Sequence, residues 1–141
     1  MWNLLDAMEI NRGSFCDTCG DKRTLFIAAL KRYDKKIRKA RLRSLQSSHP
    51  LLEAIQALFS DWIGQVMNDP ERGGCFLTNT ALELSKHDAE ISNIVARSQK
   101  AIERFFLENV RNAQTQGRIN LKLDATAASK SLLATLLGLL N

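Results

Sequence analysis

The chain has 141 residues, of which 45% are hydrophobic and 25% charged, as in ordinary globular domains. No apolar run reaches 18 residues and the N-terminus lacks the pattern of a signal peptide, so neither a membrane span nor export is indicated. Three cysteines, an odd number, argue against a disulfide framework and favour the reducing cytoplasm. Scarce proline and abundant Leu, Ala, Lys, Arg and Glu favour an all-α fold.

Positive charge is concentrated in the first third of the chain. Residues 1–43 contain 11 Lys or Arg and 5 Asp or Glu, whereas the remaining residues contain 9 and 10. A basic segment joined to a nearly neutral body is typical of a polyanion-binding head attached to a body with a different role. A solvated basic helix without a partner explains the same charges equally well.

Residues 10–26 predict a short helix, a tight turn and the start of a longer helix. The polar positions of the short helix are Arg12, Ser14, Asp17 and Thr18. Gly20 can adopt the left-handed conformation that ends a helix. Asp21 is a suitable N-cap for the next helix, and Lys22 follows in its first turn.

This stretch resembles the second half of the helix-turn-helix in the TetR/AcrR family of transcription regulators. In that family the recognition helix leads into the signature aromatic-x-x-Phe-Gly-x-Lys-x-x-Leu. The positions that keep this pattern are Gly20, Lys22, Leu25 and Phe26. Cys16 and Cys19 occupy the two aromatic places, which is a departure from the family pattern.

One long helix is predicted from Asp21 to about Ser44. Its core stripe at i, i+4 spacing is Leu25, Ala29, Tyr33 and Ile37, with Phe26 and Leu30 beside it. The predicted solvated positions are Lys31, Arg32, Lys35, Lys36, Arg38, Lys39, Arg41 and Arg43. In the resembled family this helix connects the DNA-binding head to the body. The resemblance implies a partial helix-turn-helix head with its connecting helix in 1–44, and a ligand-binding and dimerisation body in 45–141.

A second motif follows a break at residues 47–50, a helix from about Leu51 to Met67, and a loop over 68–74. Ser47 or Ser48 is the predicted cap at the break. Family members often read Gly-Cys-hydrophobic-hydrophobic-x-Asn-Thr-Ala-x-Glu after such a loop. The matching residues are Gly74, Cys75, Phe76, Leu77, Asn79, Thr80, Ala81 and Glu83. The resemblance thus covers about residues 4 to 140.

Two further helices complete the predicted body. Asp88 is expected to cap a helix from Ala89 to about Gln116, which Gly117 ends. Asp124 is expected to cap the last helix, whose leucine face is too wide for one internal contact and so predicts a homodimer. The predicted interface residues are Leu132, Leu133, Leu136, Leu137 and Leu140. Compared with the family pattern, the chain is expected to be clipped at both ends and to bind an operator weakly.

The body helices carry a group of residues that predicts a small-molecule pocket. Its members are Phe59, Trp62, Ile63, Phe76, Asn79, Thr80 and Phe106. A mostly apolar cavity with a few polar groups is the usual form of such a site, and the resemblance implies an inducer pocket between these helices. The expected effector is a small apolar or aromatic molecule. A filled helical core is the alternative interpretation.

No cofactor, metal or catalytic site is predicted. Cys16 and Cys19 have the C-x-x-C spacing of a redox pair or half a zinc site, but the further candidates Cys75, His49 and His87 form no second close pair. Replacement of two packing aromatics is the preferred explanation of these cysteines. The sequence contains no catalytic triad, paired catalytic carboxylates, P-loop or dinucleotide fingerprint, so an enzyme has no support.

The resemblance therefore implies a ligand-responsive regulator, usually a repressor, that binds a double-stranded DNA operator as a homodimer. The predicted DNA-binding residues are Arg12, Gly13, Ser14, Asp17, Thr18 and Lys22, with Arg23 adding a phosphate contact. A truncated paralogue that acts as a non-DNA-binding helical interaction protein is the rival hypothesis. A thiol or metal sensor that uses Cys16 and Cys19 is the third.

Overall fold

A computed structural model describes residues 6–7, 9, 11–68 and 75–139. Its helices are α1 (Arg12–Cys19), α2 (Lys22–Arg32), a π-helical segment (Tyr33–Lys39), α3 (Ala40–Ser48), α4 (Leu51–Asn68), α5 (Phe76–Glu83), α6 (Ala89–Thr115) and α7 (Ala125–Leu139). Within these described residues no strand occurs, and the predicted all-α fold is confirmed. None of these helices has both the length and the apolar character needed to cross a membrane.

The helix boundaries follow local capping chemistry. The Asp21 carboxylate accepts the backbone N–H of Thr24 at 2.6 Å. Asp88 accepts those of Glu90 at 3.0 Å and Ile91 at 3.2 Å. Asp124 accepts those of Thr126 at 2.9 Å and Ala127 at 3.1 Å. Gly20 and Gly117 have φ of +74° and +73°, a conformation that costs glycine little. The three predicted aspartate caps and the two predicted glycine stops are confirmed.

The connecting helix, formed by α2, the π-helical segment and α3, continues to Ser48 and is longer than predicted. The prediction that Ser47 or Ser48 caps the following helix is wrong. Both hydroxyls donate to the carbonyl oxygen of Ser44 one turn earlier, which keeps them inside α3.

Two hydrophobic clusters hold the helices together. The larger cluster joins α3, α4, α6 and α7 and contains Leu42, Leu45, Ala54, Ile55, Leu58, Trp62, Ile102, Phe105, Phe106, Val110, Ala125 and Leu136. The smaller cluster joins α2, α5 and α6 and contains Ile27, Leu30, Leu77, Ile91, Ile94 and Val95. The 27-residue helix α6 contributes to both clusters, so it ties the N-terminal helices to the body.

The packed face of α2 differs from the predicted stripe. Ile27 and Leu30 are buried, whereas Ala29 is exposed and Leu25 is half-buried. The side chain of Ile37 lies outside the described residues. One residue turns an α-helix by about 100°, and the observed face lies roughly one residue around the helix from the predicted series.

Candidate functional site

Helix α1 presents a polar surface because its central aromatic residue points inward. Phe15 is completely buried, and the backbone N–H of Ser14 donates to Asn11 Oδ1 at 2.8 Å at the start of the helix. Gly13, Ser14 and Asp17 are exposed on the same helix. The sequence analysis did not select Phe15, although a single large apolar residue in a polar eight-residue helix marks the side by which that helix packs against the rest of the protein.

The predicted DNA-binding residues are partly visible in the described structure. Gly13, Ser14, Asp17 and Lys22 are exposed, as a contact surface requires. The side chains of Arg12 and Thr18 lie outside the described residues. Contact with DNA stays a prediction for all six predicted residues.

Arg23 is engaged within the chain rather than free for phosphate. Its guanidinium donates to Asp88 through Nε at 2.6 Å and Nη2 at 3.0 Å, and to Glu90 at 3.3 Å. Lys31 Nζ lies 2.8 Å from Glu90 Oε1. We call Arg23, Lys31, Asp88 and Glu90 the outer ion-pair cluster, which joins α2 to the start of α6. A partnered guanidinium has fewer donors to offer, and the phosphate contact of Arg23 stays a prediction.

The outer ion-pair cluster shifts the titration of its carboxylates. The hydrogen bond from Arg23, followed by the backbone N–H of Ile91, lowers the pKa of Asp88 to about 2. The hydrogen bond from Lys31 lowers the pKa of Glu90 from its ordinary value. Both carboxylates therefore stay charged down to acidic pH and keep the contact between α2 and α6.

Arg38 is buried in the π-helical segment, which the sequence analysis placed among solvated charges. A regular α-helix would return residue 37 to the face of Leu30 after seven residues. The hydrogen bonds of a π-helix span five residues instead of four, which adds a residue to the turn. Arg38 accordingly joins Leu30, Leu42 and Leu45 as buried positions, with a side chain only 1% exposed. The prediction for Arg38 was wrong because it assumed regular α-helical spacing.

Asp34 is the carboxylate partner of Arg38. Arg38 Nε donates to Asp34 Oδ1 at 2.6 Å, and Nη2 lies 2.6 Å from the same oxygen. Lys39 Nζ lies 3.6 Å from the other oxygen of Asp34. Two cations therefore share one carboxylate at this point of the connecting helix.

Three buried polar atoms have no hydrogen-bond partner among the described residues. They are Nη1 and Nη2 of Arg38 and Oγ of Ser98. Nη2 nevertheless lies 2.6 Å from Asp34 Oδ1 and is paired with that carboxylate as an ion pair, without the alignment of a hydrogen bond. An unsatisfied buried donor costs roughly 1–3 kcal/mol, so Arg38 Nη1 and Ser98 Oγ call for a partner and make this region a candidate site.

Arg38 and Ser98 both line a cavity of about 20 Å³ that we call the Arg38 cavity. Its lining residues are Tyr33, Arg38, Trp62, Cys75, Leu77, Thr78, Ser98, Gln99, Ile102 and Leu137. The Tyr33 hydroxyl lies 3.9 Å from Cys75 Sγ, and burial raises the pKa of Tyr33 above its ordinary value. The π-helical segment, α4, α5, α6 and α7 thus meet around one buried cation.

The predicted pocket residues divide between several environments. Trp62 lines the Arg38 cavity, while Phe59 and Phe106 stack with ring centroids 5.9 Å apart in the larger cluster. Phe76 packs edge-on against Phe26 and Tyr33, at 5.4 and 5.6 Å, beside the smaller cluster.

The remaining three members of the predicted pocket are Ile63, Asn79 and Thr80. Ile63 is 43% exposed on the outside of α4. Thr80 is buried and donates to the carbonyl oxygen of Phe76 at 2.7 Å, and Asn79 is half-buried. Of the seven residues, only Trp62 lines the Arg38 cavity, and a common pocket for all of them stays a prediction. Arg38 and Ser98, which were missed, supply the unpartnered polar atoms of the Arg38 cavity.

The predicted dimer leucines are used largely within the chain. Leu136 is completely buried in the larger cluster, which corrects its assignment to an intermolecular surface. Leu137 lines the Arg38 cavity, and Leu132 and Leu133 are half-buried against the larger cluster. Leu140 lies outside the described residues. Leu132, Leu133 and Leu137 keep part of their surface exposed, so their place in a dimer interface stays a prediction.

The described residues form no cluster that would support a metal or thiol site. Cys75 is a free, half-buried cysteine, and the side chains of Cys16 and Cys19 lie outside the described residues. Across 11–68 and 75–139, no three His, Cys, Asp or Glu side chains come together as a metal site.

Comparison with known proteins gives one family and several relatives. The family model described as "Tetracyclin repressor-like, C-terminal domain" matches residues 52–141. The chain is 34% identical over 119 residues to YezE, an uncharacterised HTH-type transcriptional regulator of Bacillus subtilis (strain 168). That alignment covers 84% of this chain and 61% of YezE, so the chain spans less than two thirds of this relative's length.

Solved structures of regulators share the fold. The reduced form of E. coli NemR superimposes with a TM-score of 0.80 at 18% identity, over 98% of this chain and 72% of NemR. A cysteine mutant of the TetR family regulator CifR, solved with 26-base-pair operator DNA, gives 0.79 at 22% identity, over 97% of this chain and 72% of CifR. The family model covers more than half of the chain, so the protein belongs to the tetracycline-repressor-like (TetR) family.

Proposed function

We propose that this chain is a ligand-responsive transcription regulator of the TetR type that acts in the cytoplasm as a repressor. It binds double-stranded operator DNA as a homodimer through a head in 1–44 and receives a small apolar or aromatic effector in a body in 45–141. The observation that carries the proposal is family membership, together with a helical head whose polar side is exposed. The relatives found are regulators rather than enzymes.

The head supports the proposal through the arrangement of α1. Phe15 docks the helix through one buried ring, while Ser14 and Asp17 remain exposed. A helix held in this way can present its start to base edges in the major groove. Lys22, exposed in the first turn of α2, is placed for a phosphate contact at a helix N-terminus.

The body supports a sensing role through its connection to the head. The connecting helix contributes Leu30 to the smaller cluster and Leu42 and Leu45 to the larger one. A ligand that moves α4, α6 or α7 therefore acts on residues of the same helix that leads to α1. For dimerisation, an open apolar groove between α4, α6 and α7, lined by Leu52, Phe59 and Leu132 among others, offers surface that includes part of the predicted leucine face.

Selection from random duplex DNA tests this function. We expect the protein to enrich a palindromic sequence, and we expect Ser14→Ala to relax the base preference at one position in each half-site. Lys22→Ala should weaken binding to all sequences alike and reduce the salt dependence, because it removes a phosphate contact.

Lys100→Ala is the matched control, since it removes an exposed lysine from α6, far along the body from α1. It should leave both affinity and base preference unchanged. Failure to enrich any sequence, with the fold intact by circular dichroism, would contradict the proposal. That result would favour the rival hypothesis of a non-DNA-binding helical interaction protein.

A further inference from the structure

We propose that the Arg38 cavity binds the carboxylate of a small organic acid. This inference rests on the proposed function, because it gives the chemical class of the effector: an apolar or aromatic body that carries a negative charge. The carboxylate would meet Nη1 and Nη2 of Arg38, and the body would lie among the apolar side chains that line the cavity.

The free edge of the guanidinium determines the class of ligand. Arginine has five N–H donors in a planar fork, and two parallel bonds from this fork match the geometry of a carboxylate. Asp34 accepts from Nε, whereas Nη1 and Nη2 have no hydrogen-bond partner in the described part of the chain. Nη2 also lies 2.6 Å from Asp34 Oδ1 as an ion pair, but each Nη carries two N–H groups, so the Nη1–Nη2 edge keeps donors that can hold one carboxylate.

The local charge favours an anion as well. Asp34 is shared between Arg38 and Lys39, at 2.6 and 3.6 Å, so the three side chains carry a net positive charge. A buried charge is stable when it is paired and hydrogen-bonded. An added carboxylate would complete this pairing, while an added cation or neutral amide would not.

The other lining residues suit the rest of such a ligand. Ser98 Oγ is a completely buried hydroxyl without a partner in the described residues, and it can donate to a second carboxylate lone pair. Trp62, Leu77, Ile102 and Leu137 supply apolar walls. A pocket with few polar groups among apolar side chains is the usual form of a small-molecule site.

The volume of the cavity sets a condition on binding. About 20 Å³ holds a single water-sized molecule, so the body of an organic acid must displace side chains as it enters. Displacement acts on the π-helical segment that contains Arg38, and this segment lies in the helix that leads to the head. Binding at Arg38 therefore changes the element through which the body and the head are joined.

Fluorescence titration with a panel of carboxylates and their matching amides tests the site. The panel contains acetate, butyrate, phenylacetate and benzoate with acetamide, butyramide, phenylacetamide and benzamide, at constant ionic strength. A Trp2→Phe background leaves Trp62 as the reporter beside the cavity. We expect at least one carboxylate to bind saturably and about tenfold or more tightly than its amide, as charge-assisted bidentate pairing requires.

Three variants locate the binding. Arg38→Met should remove it, Arg38→Lys should weaken it about tenfold because the fork is lost, and Ser98→Ala should weaken it severalfold. Arg32→Met removes an exposed arginine of the same helix and should leave binding unchanged. Should Arg38→Met fail to fold, Arg38→Lys and Ser98→Ala carry the test.

The proposal is overturned when no carboxylate of the panel binds, when the amides bind equally, or when Arg38→Lys and Ser98→Ala bind like the parent. These outcomes are independent of DNA. A protein that enriches an operator but binds no carboxylate retains the proposed function and loses this site. A protein that binds a carboxylate at Arg38 but enriches no DNA retains the site and loses the function.

Discussion

Arg23 and Arg38 lie on one continuous helix, yet they meet opposite environments. The Arg23 side chain is 52% exposed and has two carboxylate partners in the outer ion-pair cluster. The Arg38 side chain is 1% exposed and shares a single carboxylate with Lys39. The exposed Arg23 therefore has more carboxylate partners than the buried Arg38.

This difference separates structural contact from a site. An exposed ion pair adds little stability, because water solvates its charges well and salt screens their attraction. A buried cation with unused donors is costly to the fold. A chain that keeps such a residue gives up stability at that point, which is common where a protein binds a ligand.

Removal of the Asp34 carboxylate should produce the largest effect. Asp34→Ala leaves the guanidinium of Arg38 buried without a carboxylate, and loss of one partner of a buried pair costs about 3–5 kcal/mol. We expect a loss of this order in the free energy of unfolding measured by urea denaturation. An unchanged free energy would show that Arg38 reaches water more readily than its burial implies.

The double variant Asp34→Ala/Arg38→Met is the matched control. Without the cation, the missing carboxylate leaves no unpaired charge, and an apolar side chain of similar length fills the same space. Most of the lost stability should therefore return, since replacement of a buried ion pair by packed apolar residues is often neutral or better.

A smaller effect distinguishes the two confirmed aspartate caps of the body. Asp124 caps α7 and pairs with no cation in the described structure, so Asp124→Ala should cost about 1 kcal/mol at every salt concentration. Asp88 caps α6 and also accepts two bonds from Arg23. Asp88→Ala should therefore lose more stability at low salt than at high salt, since screening weakens its ion pair. Identical salt dependence in the two variants would contradict a contribution from Arg23.

Features that depend on neighbouring residues were predictable from the sequence. Asp21, Asp88 and Asp124 cap the helices they precede, and Gly20 and Gly117 end helices with positive φ. These outcomes are local, because a carboxylate two or three residues from a free N–H meets it in nearly any tertiary setting. The family resemblance, read from two separated motifs, is likewise confirmed by the match over 52–141.

The candidate site was not predicted, because it depends on a departure from regular α-helical spacing. The i, i+4 series that began at Leu25 was carried through residue 37 without a change of period. The π-helical segment adds a residue to a turn, and Arg38 became buried as a result. Nothing in the local composition of Tyr33–Lys39 signals this, since Arg38 shares its cavity with Trp62, Ser98 and Leu137 from distant parts of the chain.

The smallest effect is a pH dependence in the outer ion-pair cluster. Bonds from Arg23 hold the pKa of Asp88 at about 2 in the folded chain, below the value of about 4 in an unfolded one. A depressed folded pKa gives stability that is present above the unfolded value and is lost as the pH falls through the folded value. This contribution should therefore be complete above about pH 4 and disappear towards pH 2.

Titration of individual carboxyl groups by NMR isolates this contribution, because Glu53 has a pKa of about 2 through its bonds to Arg118 and titrates in the same window. In Arg23→Ala the pKa of Asp88 should rise but stay below its ordinary value, because the backbone N–H groups of Glu90 and Ile91 still donate to it. The pKa of Glu53 should not move, since Arg118 and Glu53 form a separate exposed pair. A pKa of Asp88 that is unchanged by the loss of Arg23 would assign the whole shift to capping of α6. The ion pair would then contribute nothing, and Arg23 would be available for the phosphate contact first expected of it.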